Sequence, residues 1–268
     1  MLISRRMSLA CASAAAACAV VPLPSLAQAL GRVRSRTATS QLVQHLLLHV
    51  DETGGVPYAA ALSLEAPATA WIAIGHSENE FLATLGTYRS RGYGLRRVNA
   101  FQTHQGMHYA TIWQFEAPMP ALVRQGMTHA EFLNANGAAA VQGLELTHID
   151  ACATRSGARF AAIWDKSGGR TQKVFTELTA ADFRAHMASL AANGFRPRQV
   201  AGYASRGDAR FAAIFINDSK PAVARVALPA SEFYTQSRHM TSRGHALTDA
   251  SGYVVGAEPM FTAVWEEA

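Results

Sequence analysis

The residues with the most chemical potential in this chain are its histidines and its one cysteine outside the first 29 positions. His104 and His108 stand four apart, a spacing that on a helix would present two imidazoles to one metal ion. A polar turn lies at that point instead, and no HExxH, CxxC or dense Asp/His cluster accompanies the pair. Farther along, equivalent places hold Arg155 and Arg159, or Arg206 and Arg210, which reads as surface turn chemistry. Cys152 and His148 could pair as nucleophile and base on one strand. Yet Cys152 takes the place held by Phe101, Tyr203 and Tyr253, so a packed thiol acting as a small hydrophobe is the better reading. The glycines of "RGYGLRR" precede a strand, not a helix, and give no phosphate or dinucleotide loop. The expectation is therefore no catalytic residue, no metal and no cofactor.

A row of large aromatics, Trp113, Trp164, Phe215 and Trp265, could line up as a ladder for an extended peptide or glycan. Packing in the core is favoured, because large aromatics usually serve burial. The candidate ligand surface consists of this row with Arg159 and Arg210. Arg96, Arg97, Arg196 and Arg198 mark a polar face, solvated by default and otherwise a surface for an anionic partner.

The elements that must position these residues follow from a repeat. "HYATIW", "RFAAIW", "RFAAIF" and "MFTAVW" end at Trp113, Trp164, Phe215 and Trp265, so the steps are 51, 51 and 50 residues. Phe81, Phe132, Phe183 and Phe233 keep the same register, as do Gly92, Gly143, Gly194 and Gly244. A fixed period of about 51 residues means one supersecondary unit copied along the chain, each copy burying its apolar face on its neighbours.

Each unit opens with Ser77, Thr128 or Thr179 and an acid three residues on (Glu80, Glu131, Asp182), the pattern of a capping box. The fourth substitutes Pro229, with Glu232 in the acid position. Helical apolar spacing runs through Phe81, Leu85 and Tyr88, and the recurring glycine suits a left-handed helix end. Two short apolar runs around a polar turn then predict a β-hairpin, as in "PRQVAGY" and "RFAAIF". Ala100, Ala151, Gly202 and Gly252 share one position, which predicts a close approach there, by the helix. The fold class expected is α+β, four helix–strand–strand units at 76–126, 127–177, 178–227 and 228–268. A degenerate capping copy is expected at 40–75, with Ser40 to Val50 supplying its helix.

The consensus carried by "NGFRPRQVAGYASRGDARFAAIF" at Asn193 to Phe215 resembles the bacterial tandem repeat domain, also found as the N-terminal region of polyglycine hydrolases. The resemblance is good from Ser77 onward and weak over Ser40 to Gly75. It implies a curved, half-pipe-like stack that binds a substrate or partner and leaves catalysis to a β-lactamase-like serine hydrolase domain. That enzyme's Ser-x-x-Lys nucleophile motif is not matched by Lys166, Lys173 or Lys220, and the last repeat runs to the final residues, so the hydrolase half is expected to be absent.

The N-terminus carries a different message. Arg5 and Arg6, an Ala-rich apolar stretch and the A-x-A spacing of Ala27 and Ala29 predict a secretory signal over 1–29, with twin-arginine and general routes both open. The apolar run is too short and Ala-rich for a membrane span, so no transmembrane anchor is expected. Cleavage would remove two arginines and take the formal net charge from +5 to +3. It would leave Cys152 as the single thiol, with no internal disulfide available. Residues 30–39 read as a flexible basic linker. With 49% hydrophobic residues the chain can bury a sizeable core. Export and modest charge argue against nucleic acid. The expected role is a periplasmic or extracellular non-catalytic protein that binds a polypeptide or cell-envelope polymer through an extended surface. The alternative is a hydrolase, or an accessory subunit beside a separate one.

Overall fold

A computed structural model of the chain describes residues 70–268, other than 104, 105, 167, 257 and 268. Before them it describes the strands β1 (Ala19–Pro22), β2 (Val33–Arg34), β3 (Gln41–His49) and β4 (Tyr58–Glu65). The expected signal cleavage site, most of the expected linker, and His104 lie outside the described residues.

Four units follow one plan. The first has β5 (Ala70–Ser77), α1 (Glu78–Ser90), β6 (Tyr93–Thr103) and β7 (Gly106–Phe115). The second has β8 (Leu122–Met127), α2 (His129–Val141), β9 (Leu144–Thr154) and β10 (Gly157–Lys166). The third has β11 (Gln172–Leu178), α3 (Ala180–Ala191), β12 (Phe195–Ser205) and β13 (Asp208–Asn217). The fourth has β14 (Ala222–Pro229), α4 (Ala230–Ser242), β15 (His245–Val255) and β16 (Glu258–Glu267).

The unit is therefore strand–helix–strand–strand, one strand more than the expected helix–strand–strand. In each unit the third strand lies between the first and second in an antiparallel sheet, as in β8-β10-β9. Hydrogen bonding groups Leu122–Met127 with the helix that follows it, not with the hairpin before it. The first strand escapes pattern reading because a left-handed residue interrupts it just before the helix: Gly126 (φ 66), Glu177 (φ 58) and Ala227 (φ 56). The pairing register shifts at the same place, which breaks strict alternation.

The caps are as the sequence indicates. Ser77, Thr128 and Thr179 each accept from the third helical N–H, while Glu80, Glu131 and Asp182 reach back to the cap. Pro229 stands at the N-cap without a side-chain bond. Gly92, Gly143, Gly194 and Gly244 take φ between 70 and 79, as a residue just past a helix end requires.

The six-letter echo is explained by burial on both faces. In β10, Phe160, Ala162 and Trp164 pack with Phe132 of their own helix and Leu146. Between them, Ala161 and Ile163 point the other way, into the cluster of Phe81, Tyr109 and Trp113 in the first unit. The next unit repeats this. Phe211, Ala213 and Phe215 join Phe183, while Ala212, Ile214 and Ile216 enter the second unit's cluster. A strand with no solvent face has no room for polar alternation, so the run reads as continuous apolar letters. Gly202 has a related cause: a Cβ there would overlap the ring of Tyr253. The close approach predicted at this position thus comes from the next unit's second strand, not from the helix.

The arrangement of the units departs from an open half-pipe. The second strands make the contacts between units, β6 with β9, β9 with β12 and β12 with β15. Arg97 of the first unit forms an ion pair at 2.9 Å with Asp249 of the fourth. β3 touches β15 of the last unit and also β6 and β7 of the first. An open array would hold its first and last units apart, so this one returns on itself around a common centre. Among the described residues the first and fourth units thus meet, as the two ends of an open stack would not. Gln41–His49, expected as a helix, is a strand paired with β4. Its bulge falls between Val43 and His45, matching the bulges in β6, β9, β12 and β15. Among the described residues no helix is long and apolar enough to cross a membrane.

Candidate functional site

β6, β9, β12 and β15 are edge strands of their own sheets, so half of their backbone groups need partners from elsewhere. Side chains of the following unit supply them. The Ala100 N–H donates to Asp150 Oδ2 (2.8 Å), and the Val200 N–H to Asp249 Oδ2 (3.0 Å). Gln199 brackets Ile149, accepting from its N–H at 2.9 Å and donating to its carbonyl at 3.1 Å. His148 Nε2 meets the Val98 carbonyl at 2.7 Å. Gly202 N–H donates to Ser251 Oγ at 3.2 Å. This protects the edges that a ring of separate sheets would otherwise leave open.

One extra residue in each second strand, the bulge, sets the next side chain into the centre. The residues so placed are Arg97, His148, Gln199 and Asp249, one from each unit. Arg97 Nη1 donates to Asp249 (2.9 Å) and to His148 Nδ1 (3.1 Å). Gln199 Nε2 also donates to His148 Nδ1, at 2.8 Å. A carbonyl only accepts, so His148 carries its proton on Nε2 and is neutral. Burial first, and Arg97 next, hold its pKa down to about 3. One layer away, burial pushes the Asp150 carboxyl up to about 7, opposed by the N–H groups of Ala100 and Ala151. Burial also raises Asp249, with Arg97 opposing it.

Beside this layer opens a cavity of about 440 Å³, lined by all four repeats. Glu145 (3% exposed) is shared there by Arg198 at 3.2 Å and Arg170 at 3.5 Å. Arg196, beside the cavity, pairs with Asp218 (2.6 Å) and Glu266 (2.7 Å). Of the arginines read as a polar face, Arg96, Arg97 and Arg198 converge on the cavity.

The sequence-predicted ligand surface is placed elsewhere. Trp113, Trp164, Phe215 and Trp265 are completely buried, each between its own helix and sheet, so no ligand reaches them. Trp113 stacks on Tyr88 and Trp164 on Phe132. Arg159 and Arg210 sit at the hairpin turns, bonded to Ser156 Oγ (3.0 Å) and the Ala209 carbonyl (2.9 Å). The cavity is lined from the opposite ends of these strands, at Asp165 and Lys166 in β10.

His148 is held by Val98, Arg97 and Gln199, and Cys152 packs against the first unit's apolar cluster. Burial drives the thiol pKa far upward, which opposes the thiolate a nucleophile needs. His108 is buried against Thr103 Oγ1 (3.2 Å) and the Gly106 carbonyl (3.1 Å). Among the described residues no three His, Cys, Asp or Glu gather as a metal site. The central layer was missed in the sequence although a signal existed. Arg97, His148, Gln199 and Asp249 keep the repeat step, all polar amid apolar strands.

A family model described as "Polyglycine hydrolase-like, structural repeat" matches four tandem stretches, residues 69–116, 120–167, 171–218 and 219–268. The resemblance read from the sequence is borne out, and the matched stretches begin before the first strand of each unit. No curated protein matches the chain.

Proposed function

Because the chain belongs to the polyglycine hydrolase-like structural-repeat family, we propose that it is an exported, non-catalytic protein that binds a polypeptide or a cell-envelope polymer. The observation that carries the reading is the polar cavity at the centre, to which every repeat contributes side chains. Concave sites with a few convergent polar groups are where ligands are generally held. The non-catalytic half is supported by His148, the base of the nucleophile pair read from the sequence, having both nitrogens engaged by Val98, Arg97 and Gln199. Export is supported by Arg5, Arg6 and the Ala27–Ala29 spacing.

The test is retention of extended polypeptides and envelope polymers by the immobilised chain, with a serine- and cysteine-reactive probe applied in parallel. Saturable retention without labelling fits the proposal. Labelling of a single residue, or turnover of a peptide substrate, would overturn its non-catalytic half. Failure to retain any polymer would overturn the binding half. Export is tested by changing Arg5 and Arg6 to lysine and following the chain across the membrane. Loss of export assigns the twin-arginine route, unchanged export assigns the general route, and retention of the wild type in the cell refutes export.

A further inference from the structure

The extra residues at the four bulges are Arg96, Thr147, Arg198 and Thr248, and all four line the central cavity. The two threonines turn back on their own sheets. Thr147 Oγ1 donates to the Ile163 carbonyl at 3.2 Å, and Thr248 Oγ1 to the Val264 carbonyl at 3.3 Å. The arginines, from the first and third repeats, line the same cavity, Arg198 with its guanidinium 3.2 Å from Glu145 and Arg96 exposed.

Charge at the cavity is lopsided. Arg96, Arg97, Lys166, Arg170 and Arg198 line it against Glu145, Asp165 and Glu266. Those acids already have partners. Glu145 takes Arg198 and Arg170, Glu266 takes Arg196, and Asp165 accepts from Thr147 at 3.1 Å. Arg96 is exposed and makes no ion pair among the described residues. Arg198 is crowded by like charge: burial first, then Arg170, lowers its pKa, with Glu145 opposing.

We propose that the cavity binds an oxyanion, a carboxylate or phosphate carried by the ligand, between Arg96 of the first repeat and Arg198 of the third. The proposal rests on the binding reading above and names the chemical group that reading leaves unspecified. A guanidinium presents paired N–H donors in a plane, matching two oxygens of such a group, and adds charge to each hydrogen bond. The cavity, at about 440 Å³, is larger than one small anion and admits several atoms of the molecule bearing it.

The test is calorimetric titration of the full chain with citrate and with inorganic phosphate at low salt, for wild type, Arg96→Ala, Arg198→Lys and Arg210→Ala. Arg96 is exposed, so its variant keeps the fold, and thermal melting checks this. Saturable binding by wild type, weakened at least tenfold in Arg96→Ala and unchanged in the distant Arg210→Ala, is the expected result. Tighter citrate assigns a carboxylate, and tighter phosphate assigns a phosphate. Binding of neither ion, or equal binding by wild type and Arg96→Ala, overturns the clamp. If a polymer is still retained in that case, the binding reading stands and only the oxyanion site falls. If nothing is retained, both fall.

Discussion

Arg97 Nη1 and Asp249 Oδ1 meet at 2.9 Å, joining the first repeat to the fourth across 152 positions of sequence. Asp249 is 2% exposed and Arg97 19%, so the pair lies largely out of water. Its energetic weight lies in the completed network. Asp249 also accepts from the Val200 N–H, and Arg97 also serves His148. Removing Asp249 takes a partner from both the Arg97 guanidinium and the buried Val200 N–H, neither of which water readily replaces.

Asp249→Ala is therefore expected to cost about 3 kcal/mol in urea unfolding, the range for a broken buried pair. Arg210→Ala, whose contact with Asp208 is exposed and 3.4 Å long, is expected to change stability by less than about 0.5 kcal/mol. Equal effects at the two sites would show that the centre carries no special weight.

His148 of the central layer and Asp150 beside it predict opposite pH slopes. Asp150 has its folded pKa raised from 3.8 to about 7, so it loses stability as pH rises from about 4 to 7 and is level above. Asp150→Asn should gain on wild type over that window, by at most about 4 kcal/mol. His148 has its folded pKa lowered from 6.5 to about 3, so its contribution is present above 6.5 and lost as pH falls towards 3. His148→Gln should flatten that acid limb. Denaturant midpoints measured from pH 3 to 8 give both slopes, and a pH-independent difference in either variant refutes its assignment.

Gly202→Ala is expected to cost about 2 kcal/mol, because the added methyl would overlap the buried Tyr253 ring. In a Tyr253→Ala background the same change should cost at least about 1 kcal/mol less, as neighbouring sites couple. Additive effects in this double-mutant cycle would deny the contact.

Trp164→Ala should lower stability by about 4 kcal/mol through the cavity it leaves beside Phe132. In chain that remains folded, ligand affinity should be unchanged. A selective loss of binding with intact stability would restore the aromatic row as a ligand surface.

Much of the unit could be read from the letters because its signals are local. Ser77 with Glu80, and glycines such as Gly92, act within one turn, and the structure has them in those roles. The strand Leu122–Met127 was illegible, since Gly126 in a left-handed conformation breaks its alternation and its partner lies more than thirty residues away. The aromatics were visible, but their type did not say which way they face; two-sided burial of the strand that carries Trp164 needs the neighbouring unit in place. The central polar layer is hardest, because Arg97, His148, Gln199 and Asp249 have no residue type in common. Their repeat step marks them as equivalent, but it is the shared bulge, a feature of pairing register, that turns all four to the centre.

The unlike side chains at the bulges have a consequence for how the molecule can vary. Linear solenoids lengthen or shorten by whole modules, since every junction is alike. Here each junction is keyed: the arginine of one module answers the aspartate of another three modules on, with histidine and glutamine between. Deleting or duplicating a module would set mismatched groups face to face, so the number and order of copies are fixed by chemistry at the axis.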